Sequence, residues 1–374
     1  MPSQDVRVIS ADCHINEPPH VFERVPSEFR DRIPRMMRGA DGGDGWSFDG
    51  KAPKRTFGIE AMAGRAKGEY QLEGLTFDQI LPGNYDGKAH VEDMSKDGVD
   101  VSIVYPGHAI FVYLEPDRAL ALACMRSYND WVLEEFQAAA PERLVALPML
   151  PVDDGAEAAV AELRRVQALG ARGCFIPGMP RRPYNDSYYE PLWQAASASG
   201  MPLTFHRTFG GAPPDMDWDE LVEQNVSVAG IVNRFFSGVR PLTYLVLNGV
   251  FDRNPGLKLV AGEVNCGWIP FWAQTMDDTL RTEGAWAGLE LGRAPSGYLG
   301  ENVFVTVLDD HVGFDMMRRG QPGLADMCMF SSDYPHSVTL WPRSREHIAE
   351  LTAGMREEDV RKVLSGNAER VYGV

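Results

Sequence analysis

Val6-Arg7-Val8-Ile9-Ser10-Ala11 runs directly into Asp12-Cys13-His14 near the start of the chain. An apolar run of this length, rich in Val and Ile, reads as a buried strand. Side chains alternate across a strand, so Asp12 and His14, two residues apart, leave the same face. If the run is the first strand of an α/β barrel, both side chains project from its carboxyl end, where such barrels build their active sites.

The rest of the chain supports that placement. Strand-like runs at residues 99–106, 143–150, 173–177, 202–206, 257–263, 303–307 and 327–332 alternate with helical spacing of apolar residues. The helical segments fall at residues 117–139, 154–169, 187–199, within 219–253, and at 343–352 and 357–369. With the first run this makes eight strands separated by helical connections, the pattern of a parallel sheet covered on both faces. No glycine-rich phosphate fingerprint follows the first strand, which argues against a dinucleotide-binding sheet. The sequence therefore predicts the α/β class, as a distorted (β/α)8 TIM barrel forming a single domain over residues 1–374. Residues 19–90 break the rhythm, with dense Gly and Asp turn chemistry at 39–58 and a basic patch at 51–55. They read as an insertion after the first strand that caps the barrel mouth.

The 374 residues carry a net charge of −17, which argues against nucleic acid or an anionic membrane surface as partner. Five cysteines show no CxxC spacing, as expected of reduced thiols in a cytoplasmic protein. No run approaches the roughly 18 apolar residues that a membrane-spanning helix needs.

Polar residues at the strand ends are the candidates for chemistry: Asp12 and His14 on the first strand, His206 on the fifth, Glu263 on the sixth and Asp333 on the eighth. Imidazole nitrogen and carboxylate oxygen suit one divalent ion, Zn²⁺ first, with Mn²⁺ or Fe²⁺ as alternatives. Each residue also has a plainer reading. Asp12 fits a turn, His206 a satisfied buried histidine and Asp333 a helix cap, while Glu263 fits a buried carboxylate paired with an arginine such as Arg207.

Asp12-Cys-His-Ile-Asn-Glu-Pro18, His206, the segment from Gly249 to Gly262 and Phe330-Ser-Ser-Asp-Tyr-Pro-His336 together resemble the amidohydrolase-related family. The resemblance is to its branch of aminocarboxymuconate-semialdehyde and resorcylate-type decarboxylases, and it spans nearly the whole chain in matching order. It implies a metal-dependent barrel in which Asp12, His14, His206 and Asp333 hold the ion, and it raises His336 as a substrate-facing or bracing group. Glu263 departs from the pattern, standing where that branch presents a catalytic histidine. Two reactions follow. The main expectation is a hydrolase whose metal-activated water attacks an ester, thioester, amide or C–C carbonyl, with Asp333 or Glu263 taking the proton. The alternative is non-oxidative decarboxylation of an aromatic or muconate-like acid, against which the extra negative charge of Glu263 weighs. A small-molecule substrate and a homodimer are the expected partners.

Overall fold

The computed structural model describes residues 6–48, 50, 52–207 and 227–374. Eight parallel strands alternate with helices along the chain. They are β1 (Ile9–His14), β4 (Val101–Tyr105), β5 (Leu144–Ala146), β6 (Cys174–Phe175), β7 (Leu203–His206), β8 (Leu259–Gly262), β9 (Val303–Val307) and β10 (Cys328–Phe330). Between β1 and β4 lies an antiparallel hairpin of β2 (Arg35–Arg38) and β3 (Asp44–Ser47).

The parallel strands pair in two arcs, β5-β4-β1 and β10-β9-β8-β7-β6, giving the α/β barrel architecture the alternation predicts. Short contacts join the arcs at both seams. Met149 bridges to Phe175 on one side. On the other, beyond the last residue of β10, Asp333 N–H donates to Asp12 C=O at 3.1 Å and His14 N–H donates to Tyr334 C=O at 2.7 Å. The interrupted ladder is the physical sense in which the barrel is distorted. The barrel strands are buried along their whole length, which explains why they read as near-continuous apolar runs.

Local chemistry sets the element ends. The Asp86 carboxylate caps the helix Gly87–Asp97 by accepting the Ala89 N–H, and Gly98, at φ 71°, terminates it. That helix starts inside residues 19–90, so the barrel rhythm resumes slightly earlier than the sequence suggests. The hairpin accounts for part of the turn-rich segment at 39–58, and short 3₁₀ turns follow it at Ile59–Ala61, Lys67–Glu69, Phe77–Gln79 and Pro82–Asn84. The helical stretch expected within 219–253 is divided, over its described part, into Val228–Arg234, Val239–Leu247 and Val250–Arg253, with Gly249 at φ 65° before the last. Residues 219–226 lie outside the described residues.

Candidate active site

The carboxyl ends of β1, β7, β8 and β10 bring five of the six predicted site residues into mutual contact, and His336 joins them from the loop after β10. His14 Nε2 lies 3.1 Å from Asp12 Oδ1 and 3.2 Å from Asp333 Oδ1. His206 Nε2 lies 3.8 Å from Asp12 Oδ2 and 3.2 Å from Glu263 Oε2. His336 Nδ1 sits 3.0 Å from Asp333 Oδ1, and its ring stacks on that of His14 at 4.0 Å between centroids. Asp12 and Asp333 are wholly buried, and His14 and His206 nearly so.

The backbone is shaped to hold this cluster. A register shift between Ser10 and Cys13 in the β1–β4 ladder places a bulge just before His14, a device that re-aims side chains at barrel rims. Glu263 and Asp333, at φ 54° and 49°, occupy the left-handed region that non-glycine residues rarely adopt. Thr306, on β9, ties two of the acids together. Its hydroxyl donates to Asp12 Oδ2 at 2.9 Å and accepts the Glu263 N–H at 2.6 Å. Gly262 leaves room for the His206 ring, because a Cβ there would stand 3.0 Å from His206 Cδ2 and 2.9 Å from Tyr105 Cε1.

The donor set fits a divalent cation. Asp12, His14 and His206 form one group of ligand-type atoms within 4.8 Å of one another, and His14, Asp333 and His336 form a second. Among the described residues, Asp12 Oδ1, His14 Nε2 and both Asp333 oxygens are buried with no hydrogen bond beyond these ion-pair contacts, although buried polar atoms are ordinarily satisfied. Electrostatics agree. Burial alone would push the His14 imidazole down, yet the Asp12 and Asp333 carboxylates beside it hold it up at about 10. In the metal-free protein an imidazolium thus takes the electrostatic place of a cation, and ion binding would release that proton. Burial lowers His206, favouring the neutral ligand form.

Glu263 forms the pair with Arg207 that its plainer reading named. Arg207 Nη2 donates to Glu263 Oε1, while the other carboxylate oxygen faces His206. Burial opposes ionisation of Glu263, but Arg207 and then His206 hold it well below the usual carboxylate range. Asp333 is likewise lowered, with burial and Glu263 outweighed by His336 and His14.

A cavity of about 960 Å³, open mouth included, lies over the cluster. Arg55, Ile59 and Glu60 of the segment after β1 help to wall it, as do His108 and the rings of Phe111 and Phe175. Arg207 and Arg234 bring further positive charge. Arg55 Nη2 pairs with Glu60 Oε2 at 2.9 Å, and His108 Nε2 lies 3.5 Å from Glu60 Oε1. Burial would raise the Glu60 carboxyl, but Arg55 and His108 together bring it down to about 2. Glu17 braces the wall, its Oε1 accepting the Gly107 N–H at 2.8 Å. Arg55, Glu60, Arg234 and Thr306 were not among the expected site residues. Only the basic patch at 51–55 signalled any of them.

A family model described as amidohydrolase matches residues 88–374. Among curated proteins, decarboxylase orsB of Emericella nidulans is 26% identical over 315 residues, covering 80% of this chain and 92% of that protein. A gamma-resorcylate decarboxylase of a Rhizobium species is 25% identical over 281 residues, covering 69% of this chain and 78% of that protein. Among solved structures, an amidohydrolase from Mycobacterium avium subsp. paratuberculosis superposes with a TM-score of 0.76 at 19% identity, covering 99% of this chain and all of that one. The 5-carboxyvanillate decarboxylase of Novosphingobium aromaticivorans, solved with manganese and 4-hydroxy-3-methoxy-5-nitrobenzoic acid, superposes at 0.68 with 20% identity, covering 100% of this chain and 98% of that one.

Proposed function

The chain belongs to the amidohydrolase family, and from that premise we propose that it is a divalent-metal-dependent decarboxylase of a hydroxylated aromatic carboxylic acid. The observation that carries this reading is the Arg207–Glu263 pair. Unpaired, Glu263 would repel an anionic substrate; paired, it contributes no net charge. Among the described residues, Arg55, Arg207 and Arg234 with a divalent ion outweigh Asp12, Glu60, Glu263 and Asp333 by one positive charge, which suits a carboxylate ligand. The aromatic walls suit a ring. The relatives point the same way, since the two curated proteins described above are decarboxylases. Hydrolysis of an ester, thioester or amide, the main expectation from sequence, draws no comparable support.

Asp12, His14, His206 and Asp333 would hold the ion, and Mn²⁺ takes precedence over Zn²⁺ because a related decarboxylase structure contains manganese. When bound, it supplies Lewis acidity toward the oxygens of the acid. The reaction breaks the bond between the ring and the carboxylate carbon. Carbon dioxide leaves, the electron pair stays on the ring carbon, and that carbon takes a proton. Asp333 and His336 are suited to deliver it. His336, the more exposed of the two, can collect a proton from solvent and pass it from Nδ1 to Asp333 Oδ1 across 3.0 Å. The lowered Asp333 carboxyl is a strong acid once protonated, as a weakly basic ring carbon requires.

The test is a panel of ortho-hydroxylated benzoic acids, alongside aryl esters and thioesters, given to Mn²⁺-loaded protein. Release of carbon dioxide from at least one acid is expected. Ester or thioester turnover without any carbon dioxide release would overturn the proposal.

A further inference from the structure

A second cavity, of about 1460 Å³, shares His206, Arg207 and Arg234 with the first as a common wall. Its far side is made by Arg181, Tyr184, Arg240 and Tyr244 among others. Among the described residues, four arginines line it and none of the lining residues is an aspartate or glutamate. That is against the composition of the chain, in which 53 acidic residues outnumber 36 basic ones. A concave surface lined by one sign of charge focuses the field and raises the local concentration of counter-ions.

Arg207 gives the cavity a specific binding element. Its side chain is buried, and Nη2 is committed to Glu263. Nε and Nη1 of the same guanidinium have no hydrogen-bond partner among the described residues. Leaving such donors buried and unsatisfied costs free energy that an oxyanion in the cavity would recover, and hydrogen bonds between a guanidinium and an anion are the stronger, charge-assisted kind. Phe235 packs on the face of the guanidinium at 4.2 Å and fixes its plane. The exposed Arg181 and Arg240 stand farther out, where they can draw an anion inward. Asp153 accepts the Arg181 backbone N–H at 3.0 Å and is not among the described residues that line the cavity.

From these observations we infer that the second cavity is an oxyanion-binding subsite, with Arg207 as its buried anchor and Arg181 and Arg240 as its outer charges. Its ligand is a phosphate-type or carboxylate group, either attached to the far end of an elongated substrate or bound as a free anion. The inference does not depend on which reaction the metal centre performs.

The test is isothermal titration of the full-length, metal-loaded protein with inorganic pyrophosphate, comparing wild type with Arg181→Gln/Arg240→Gln. Any pyrophosphate held by the metal centre is common to both proteins, so the difference isolates the second cavity. Pyrophosphate affinity is expected to fall tenfold or more in the double variant while its circular dichroism stays that of wild type. Equal affinity in the two proteins, or no binding by wild type at low ionic strength, would overturn the proposal. A second arm compares a plain hydroxybenzoate with one carrying a distal carboxylate. Tighter binding of the extended acid, lost in the double variant, assigns the oxyanion to the substrate's own far end, and equal binding of the two acids assigns it to a free anion.

Discussion

Replacing Arg207 with Met should expose how much of the site rests on one buried ion pair. The Arg207 and Glu263 side chains are only 5% and 4% exposed, so solvent screening does little to weaken their interaction. Removing one partner of such a pair leaves an uncompensated charge, which costs about 3–5 kcal/mol. Set against a typical total stability of about 5–15 kcal/mol, that is a large fraction. The loss should depend on pH with a definite sign. In wild type Glu263 is held low, so its contribution is present above the ordinary carboxylate pKa and disappears only as acid protonates it. Without Arg207 the burial that opposes ionisation prevails and the carboxyl moves up. The variant's deficit is then full at neutral pH and shrinks as protonation removes the charge, so it should be larger at about pH 8 than at about pH 5. Urea denaturation followed by tryptophan fluorescence at both pH values measures this. Glu263→Gln in the Arg207→Met background should restore most of the loss, since the buried charge is gone. A cost below about 1 kcal/mol, a cost independent of pH, or simple additivity in the double variant would refute the reasoning.

Four further outcomes follow from the geometry. Gly262→Ala places a Cβ 3.0 Å from His206 Cδ2, so it should cost about 1–3 kcal/mol of stability and lower the metal retained after dialysis, both measurable on one preparation. Thr306→Val removes the hydroxyl bridging Asp12 and Glu263, and a fall of about 10–100-fold in metal affinity is expected in a competition titration against a fluorescent chelator. Asp333→Asn should lower kcat for carbon dioxide release by at least about 10²-fold with the fold intact by circular dichroism. His336→Ala should lower kcat less than Asp333→Asn and respond to added imidazole, which can replace a proton carrier.

The parts of the site that could be read from sequence are those written by local pattern. The run from Val6 to Ala11 shows that Asp12 and His14 leave a strand end, and His206 and Asp333 follow comparable runs. Contacts between distant elements leave no such trace. Thr306 sits mid-strand in Val303-Phe-Val-Thr-Val307 and could equally have faced a helix, so its bridge between Asp12 and Glu263 appears only once β1, β8 and β9 converge. Arg55 lies in a segment without periodicity, where a basic patch is visible but its direction is not. The Glu263–Arg207 pair was nameable as one reading among others, yet its effect on the reaction depends on geometry. The carboxylate whose lone charge would weigh against an anionic substrate is neutralised by its neighbour. The broken helix before β8 and the bulge in β1 were likewise invisible, because tertiary packing overrides the weak local preference at each.

The most direct test of the central claim is to measure bound metal and carbon dioxide release on the same sample before chelation, after chelation and after return of Mn²⁺. One divalent ion per chain, loss of carbon dioxide release with the ion, and recovery of both on adding Mn²⁺ are expected. Carbon dioxide release that persists in fully chelated protein would contradict the claim.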